Sequence, residues 1–194
     1  MAPDMRRRFL QIGGLALVTG LAGCLSSSDT PTDSAPETES GPGFDTPPTG
    51  ECDPVDLPTS GPTKGGLEPV EYPDFPGEVT DGTARSFARD FEYAYRRNEF
   101  VKRHEDTWYD ELTVDVENAE LTDERGEGYV VRTDGETTFA VTDRPETATG
   151  TARPTGRGPF TTWFYLTDRY AIRYENSEAE EPNFEHGEIV ACAE

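Results

Sequence analysis

The most regular pattern of apolar and polar positions lies in residues 80–106, "TDGTARSFARDFEYAYRRNEFVKRHED". Ala84, Phe87, Ala88, Phe91, Ala94, Tyr95, Asn98 and Val101 recur at steps of three and four. That spacing predicts an α-helix with one buried stripe. Arg85, Arg89, Glu92, Arg96, Glu99 and Arg103 fall largely off the stripe. Asp81 and Thr83 are candidate caps, and the helix is expected to run from near Thr83 to near His104, about six turns. Aromatic residues at this spacing are read as core, not as a ligand box.

After the helix the period drops to two. Leu112, Val114 and Val116 alternate with Thr113, Asp115 and Glu117. "YVVRTDGETTFAV" places Asp134-Gly135 between two β-rich runs, a strong hairpin signal. "FTTWFYLTDRYAIRYE" reads as a second hairpin turning near Asp168-Arg169, with Trp163, Tyr165, Tyr170 and Tyr174 available for packing. "GEIVAC" is a last short strand. Breaks rich in Pro, Gly and acid at 143–159 and 175–187 separate the runs. Upstream, Pro54, Pro58, Pro62, Pro69, Pro73 and Pro76 impose an extended lead-in, whose Val70, Tyr72 and Phe75 are expected to drape over the core. One long helix followed by five or six antiparallel strands defines an α+β fold. The helix should lie across one face of a curved sheet, by analogy a cystatin-like or NTF2-like cone.

The start of the chain has a different pattern. Residues 1–23, "MAPDMRRRFLQIGGLALVTGLAG", place Arg6, Arg7 and Arg8 before an apolar stretch from Ile12 to Ala22. That stretch falls short of the roughly 20 apolar residues of a spanning helix, and charged, apolar and small-residue regions in this order describe an export signal. Arg6-Arg7, with Phe9-Leu10 one residue on, resembles a twin-arginine signal. Leu21-Ala22-Gly23-Cys24 resembles a lipobox. In that pattern the Cys24 thiol takes a thioether-linked lipid and small neighbours admit the peptidase. Residues 24–51 are dominated by Ser, Thr, Pro, Gly and acid, with almost nothing to bury. They are expected to form a disordered tether, spanning roughly 25–30 Å. Residues 52–194 then form a single α+β domain.

Charge changes the picture further. The 194 residues include 39 acidic and 17 basic ones, a net charge of −22, and only two of the bases, Lys64 and Lys102, are lysine. Such an excess repels itself in dilute solution and is screened in concentrated salt, where the Debye length is about 3 Å at 1 M. The acid is spread along the whole chain, which points to a halophilic protein. The basic footprint of nucleic-acid binding is absent. Cysteine count adds one more expectation. With Cys24 assigned to lipid, Cys52 and Cys192 remain, an even number suited to one disulfide in an oxidising compartment. The competing readings of that pair are free thiols or a metal pair.

Tyr72-Pro73-x-x-Pro76, Phe87-x-x-x-Phe91-Glu92-x-x-Tyr95-Arg96-Arg97-Asn98 and the closing Gly187-Glu188-Ile189-Val190-x-Cys192 resemble a set of uncharacterised haloarchaeal lipoproteins exported by the twin-arginine route. The likeness covers residues 70–194. It implies the same extracellular, lipid-anchored address and no activity.

Motifs of chemistry are sparse. His104 and His186 each stand beside acids but about 80 residues apart, without metal-ligand spacing, and no metal or cofactor is expected. His104 is read as a favourable charge at the helix C-terminus or a surface residue. The sequence has no G-x-S-x-G elbow and no phosphate-binding glycine pattern. "TDERGEG" at 122–128 lacks the ligand spacing of a calcium loop. Carboxylate pairs are too frequent in this composition to single one out. The leading expectation is therefore a non-enzymatic module, held to the extracellular face of the membrane through a lipid on Cys24, that binds a partner or serves the envelope. A second is a small-ligand binder or hydrolase with a pocket between helix and sheet, lined by His104, Tyr95 or Trp163. A third is an accessory lipoprotein of a transporter, ranked lower because the chain is short for a two-lobed receptor.

Overall fold

A computed structural model describes residues 52–141, 155–176 and 182–194, all within one unit of the chain, Glu39–Glu194. The expected export signal (Arg6, Arg7, Phe9, Leu10), lipobox (Leu21, Ala22, Gly23, Cys24) and tether lie outside the described residues. Among those described, no helix is long and apolar enough to cross a membrane.

The architecture is α+β. One helix, α1 (Asp81–Arg103), precedes five strands: β1 (Glu111–Arg125), β2 (Gly128–Ala140), β3 (Thr155–Leu166), β4 (Tyr170–Glu175) and β5 (Glu188–Cys192). They form an open, curled antiparallel sheet in the order β1-β2-β3-β4-β5, each strand pairing with its chain neighbour. A 3-10 turn, Phe184–His186, lies between β4 and β5.

The helix begins two residues earlier than its apolar pattern suggests, because its N-cap is neither Asp81 nor Thr83 but Thr80. Thr83 Oγ1 accepts from the Thr80 amide at 2.8 Å, and Thr80 Oγ1 accepts from the Thr83 amide at 3.3 Å. Two amides left over at the helix start are thereby satisfied reciprocally. The stripe is buried as expected at Ala84, Phe87, Ala88, Phe91, Ala94, Asn98 and Val101, and Glu92 is buried with it.

The first half of α1 packs Ala84, Phe87, Ala88 and Phe91 against Val131, Phe164, Leu166, Ala171 and Val190 of the sheet. Phe91 meets Phe164 edge-on at 5.9 Å between ring centroids. Burying each such ring contributes about 1.5–3 kcal/mol. Near its other end, Phe100 and Val101 join Leu67 and Tyr109, with Leu112 and Phe139 packed alongside. The proline-rich lead-in covers α1 as expected. Tyr72 packs tilted against Phe91 (5.2 Å) and Phe75 edge-on against Phe87 (5.8 Å). The buried Asn98 amide clamps the lead-in by accepting from the Val70 N–H and donating to the Val70 carbonyl, both at 2.8 Å.

Strand alternation survives into the structure across two register irregularities in β1, at Val116/Asn118 and Leu121/Asp123. Leu112, Val114 and Val116 turn inward, then Ala119 and Leu121 do so. The parity changes across the first of these, between Val116 and Asn118, and the extra residue returns the apolar set to the same face. Opposite that bulge sit Asp134 and Gly135, in the middle of β2. The hairpin expected at Asp134-Gly135 is therefore not there. The turn is Gly126-Glu127, closed by the Arg125–Gly128 pair, with Gly126 at φ 57°. Gly135 serves close approach instead: a Cβ there would collide with the Asp115 carbonyl and the Phe160 ring. Glycine inside a strand marks such bulges as readily as it marks turns.

The second expected hairpin is present, with β3 and β4 joined through Thr167–Arg169. The preceding break ends by Thr155, not at 159. Gly156, Gly158 and Pro159 lie in β3 where it pairs with β2 alone, before β4 joins at Thr162, and proline is tolerated on such an edge. Cys52 and Cys192 form the disulfide, with Cα atoms 5.9 Å apart and 140 residues between them. Beside it the Val55 amide donates to the Ile189 carbonyl, so the lead-in also covers part of the β5 edge.

Candidate functional site

Between the two apolar clusters on α1 lies a group of ionised side chains buried against the sheet. Glu92 is fully buried and Arg173, on β4, is 4% exposed. Glu92 Oε2 accepts from Arg173 Nε at 2.9 Å. Glu92 Oε1 accepts from Arg96 Nε (2.6 Å), Thr162 Oγ1 (2.8 Å) and Arg173 Nη2 (3.1 Å). Each arginine also lies over a ring, Arg173 at 3.8 Å from the Tyr95 centroid and Arg96 at 4.6 Å from that of Phe160. Cation–π contact of this kind strengthens as water is excluded.

Two cations against one buried carboxylate leave an unbalanced positive charge. Glu175, the last residue of β4, balances it from the surface. Its Oε1 forms an ion pair with Arg96 Nη2 and its Oε2 accepts from Arg173 Nη2, both at 2.9 Å. The Glu175 side chain is 45% exposed, against 13% for Arg96. The cluster thus runs from a closed interior to solvent.

Burial acts to raise the Glu92 pKa, but the Arg173 charge and hydrogen bonds, the Arg96 charge and the Thr162 hydroxyl together outweigh it, and the pKa falls below its ordinary value. Burial likewise works against the Arg173 charge, and Glu92 outweighs it, holding the guanidinium ionised. Both oxygens of Glu92 are taken up by these four donors, so the carboxylate ties α1 to the sheet.

The residues expected to line a pocket do not converge. Tyr95 supports Arg173. Trp163 lies on the opposite face of the sheet, clustered with Val130, Tyr165, Tyr170, Ile172 and Phe184, and Arg132 sits over its ring at 5.5 Å. His104 caps α1 at its C-terminus and packs against Phe100 and Tyr109 at 4.4 and 4.9 Å. Burial, then the Arg103 charge, pulls its pKa below 6.5, so its charge is disfavoured where it packs into this aromatic cluster. His186 sits exposed in the 3-10 turn after β4. Among the described residues no group of three or more His, Cys, Asp or Glu side chains could hold a metal ion.

The ionic cluster itself escaped the sequence reading, which set Glu92 and Arg96 on the outer side of α1. Two signals point to it. Glu92 and Arg96 are a helical i,i+4 pair flanking the apolar stripe. Arg173 interrupts the alternation of "YAIRYE" at an inward position shared with Ala171. No protein-family model, curated protein or solved structure matches the chain.

Proposed function

We propose that this chain is a lipid-anchored protein of the extracellular membrane face whose folded part is a non-enzymatic binding or envelope-associated module. The observation that carries the reading is the division of the three cysteines. Cys52 and Cys192 are joined to each other, which leaves Cys24, the residue of the lipobox, as the one thiol outside the bridge. A disulfide also suits an exported protein, since oxidising compartments preserve it. The acidic surface suits concentrated salt: exposed positions along β1 include Glu111, Asp115, Glu117 and Glu120. Binding is favoured over catalysis because Glu92, the most deeply buried carboxylate among the described residues, is committed to Arg173, Arg96 and Thr162.

The test is mass spectrometry of the mature N-terminus from expressing cells. The expected product begins at Cys24 and carries lipid mass. In a Cys24→Ser variant the protein leaves the membrane fraction. A full-length, unmodified precursor in the cytosol of the parent strain refutes the reading.

A further inference from the structure

We infer that Arg96 and Arg173 form a binding site for a small organic carboxylate, held closed in this structure by the chain's own Glu175. The inference deepens the binding-module reading above and rests on it.

The geometry is that of a fork holding a ligand. Two guanidinium groups each place one Nη2 at 2.9 Å from a different oxygen of a single carboxylate. One carboxylate is thus held by an ion pair from Arg96 and a charge-assisted hydrogen bond from Arg173, and planar arginine groups suit planar carboxylates. Both arginines are positioned without Glu175. Glu92 fixes the Nε of each, at 2.6 and 2.9 Å, Thr162 Oγ1 lies 3.1 Å from Arg96 Nη2, and the Tyr95 and Phe160 rings support the two guanidinium groups. Removing Glu175 therefore leaves a pair of nearly buried cations with one compensating charge, Glu92, already saturated. An arriving carboxylate restores neutrality, the ion pair with Arg96 and the hydrogen bond from Arg173 together.

Glu175 is suited to being displaced. Its side chain is 45% exposed, whereas the groups it touches are almost fully enclosed. It is the terminal residue of β4, and its pairing with Thr162 is the last of the β3–β4 ladder, so its swing to solvent breaks no further strand pairing. As an intramolecular competitor it acts at a high effective concentration and weakens every external carboxylate by the same factor. A physiological ligand then needs contacts beyond the carboxylate itself, which gives the closed site its selectivity.

The experiment uses the full mature chain, with sodium acetate as probe against sodium chloride at constant total salt. The readout is the arginine Nε–Hε signals of Arg96 and Arg173 by NMR. In the parent these signals move with acetate and not with chloride. In Glu175→Gln they saturate at an acetate concentration at least tenfold lower, because the competitor has lost its charge. Glu175→Ala, which removes the competing oxygens as well, gives the same direction and stands in if the Gln variant is perturbed; melting curves confirm that each is folded. Equal midpoints in parent and variants, or equal responses to acetate and chloride, overturn the site. Saturation by inorganic phosphate at a lower concentration than acetate overturns the assignment to a carboxylate. None of these outcomes depends on whether Cys24 carries lipid.

Discussion

Replacing Glu92 with glutamine tests the physical account of the interior directly. The side chain keeps its shape and one oxygen, but the carboxylate that receives four donors loses its charge. The amide nitrogen would face either Arg173 Nε, now 2.9 Å from Oε2, or the three donors that converge on Oε1. Arg173 and Arg96, 4% and 13% exposed, would then share only Glu175. Removing one partner from a buried ion pair costs about 3–5 kcal/mol, because the remaining charge stays buried without compensation. Against a total of about 5–15 kcal/mol for a domain, the variant is folded but weakened, with a melting temperature lower by about 10–20 °C. Calorimetry and urea unfolding at 1 M salt measure it. Salt at that level screens the acidic surface but reaches a buried pair much less, so the loss persists there. Its pH dependence has a definite sign. The pKa of Glu92 in the folded state lies below its ordinary 4.5, so its contribution is complete above that value and is lost as pH falls through 4.5 toward the folded value. Parent and variant should therefore converge in acid. A loss under about 1 kcal/mol at neutral pH, the size of an exposed pair, would refute a desolvated cluster.

Three other expectations follow from separate parts of the fold. Cys52→Ser with Cys192→Ser opens a loop of 140 residues and is expected to lower stability by about 5 kcal/mol in the chain-entropy model, read by urea unfolding against the oxidised parent; a change under about 1 kcal/mol contradicts it. Gly135→Ala forces a methyl group against the Asp115 carbonyl and the Phe160 ring and should cost about 1–3 kcal/mol, whereas Gly158→Ala, with nothing near its Cβ, should change stability by less than half as much. His104 should titrate below 6.5 by NMR, because burial and Arg103 disfavour its charge; the stability it contributes is present above pH 6.5 and is lost as pH falls through 6.5, and a midpoint above 6.5 would contradict its packing among Phe100 and Tyr109.

The elements that could be read from sequence are those whose signal repeats. The α1 stripe declares itself over six turns, the alternation of β1 over several residues, and the Cys52–Cys192 bridge through an even count. Asp134-Gly135 misled because one dipeptide serves two purposes: glycine permits both a tight turn and a close approach at a bulge, and only the register with β1 separates them. The ionic cluster was illegible for a different reason. Glu92 and Arg173 are 81 residues apart, and each alone has the composition of a solvated surface. Their burial is a property of the pair, since either charge by itself would be expelled from the core.

The placement of that pair bears on how the helix keeps its position. On either side of Glu92 the contacts of α1 are aromatic and aliphatic, around Phe91 and Phe164 in one direction and Phe100 and Phe139 in the other. Apolar contacts tolerate repacking as long as volume is conserved, so a helix held by them alone has several neighbouring seats of similar energy. A carboxylate between Arg96, Arg173 and Thr162 has one, because a displacement of an ångström or two breaks several charge-assisted hydrogen bonds at once. Stability and uniqueness should therefore separate in Glu92→Leu with Arg173→Met. Swapping a buried pair for apolar residues is commonly neutral or stabilising, so the double variant should melt at or above the parent. Its amide spectrum should nevertheless broaden along α1 and β4 as the helix samples more than one seat. Sharp, single resonances with the parent's Phe91–Phe164 and Phe100–Phe139 contacts intact would show instead that aromatic shape alone sets the register, and that the arginines are retained for the carboxylate they hold at Glu175.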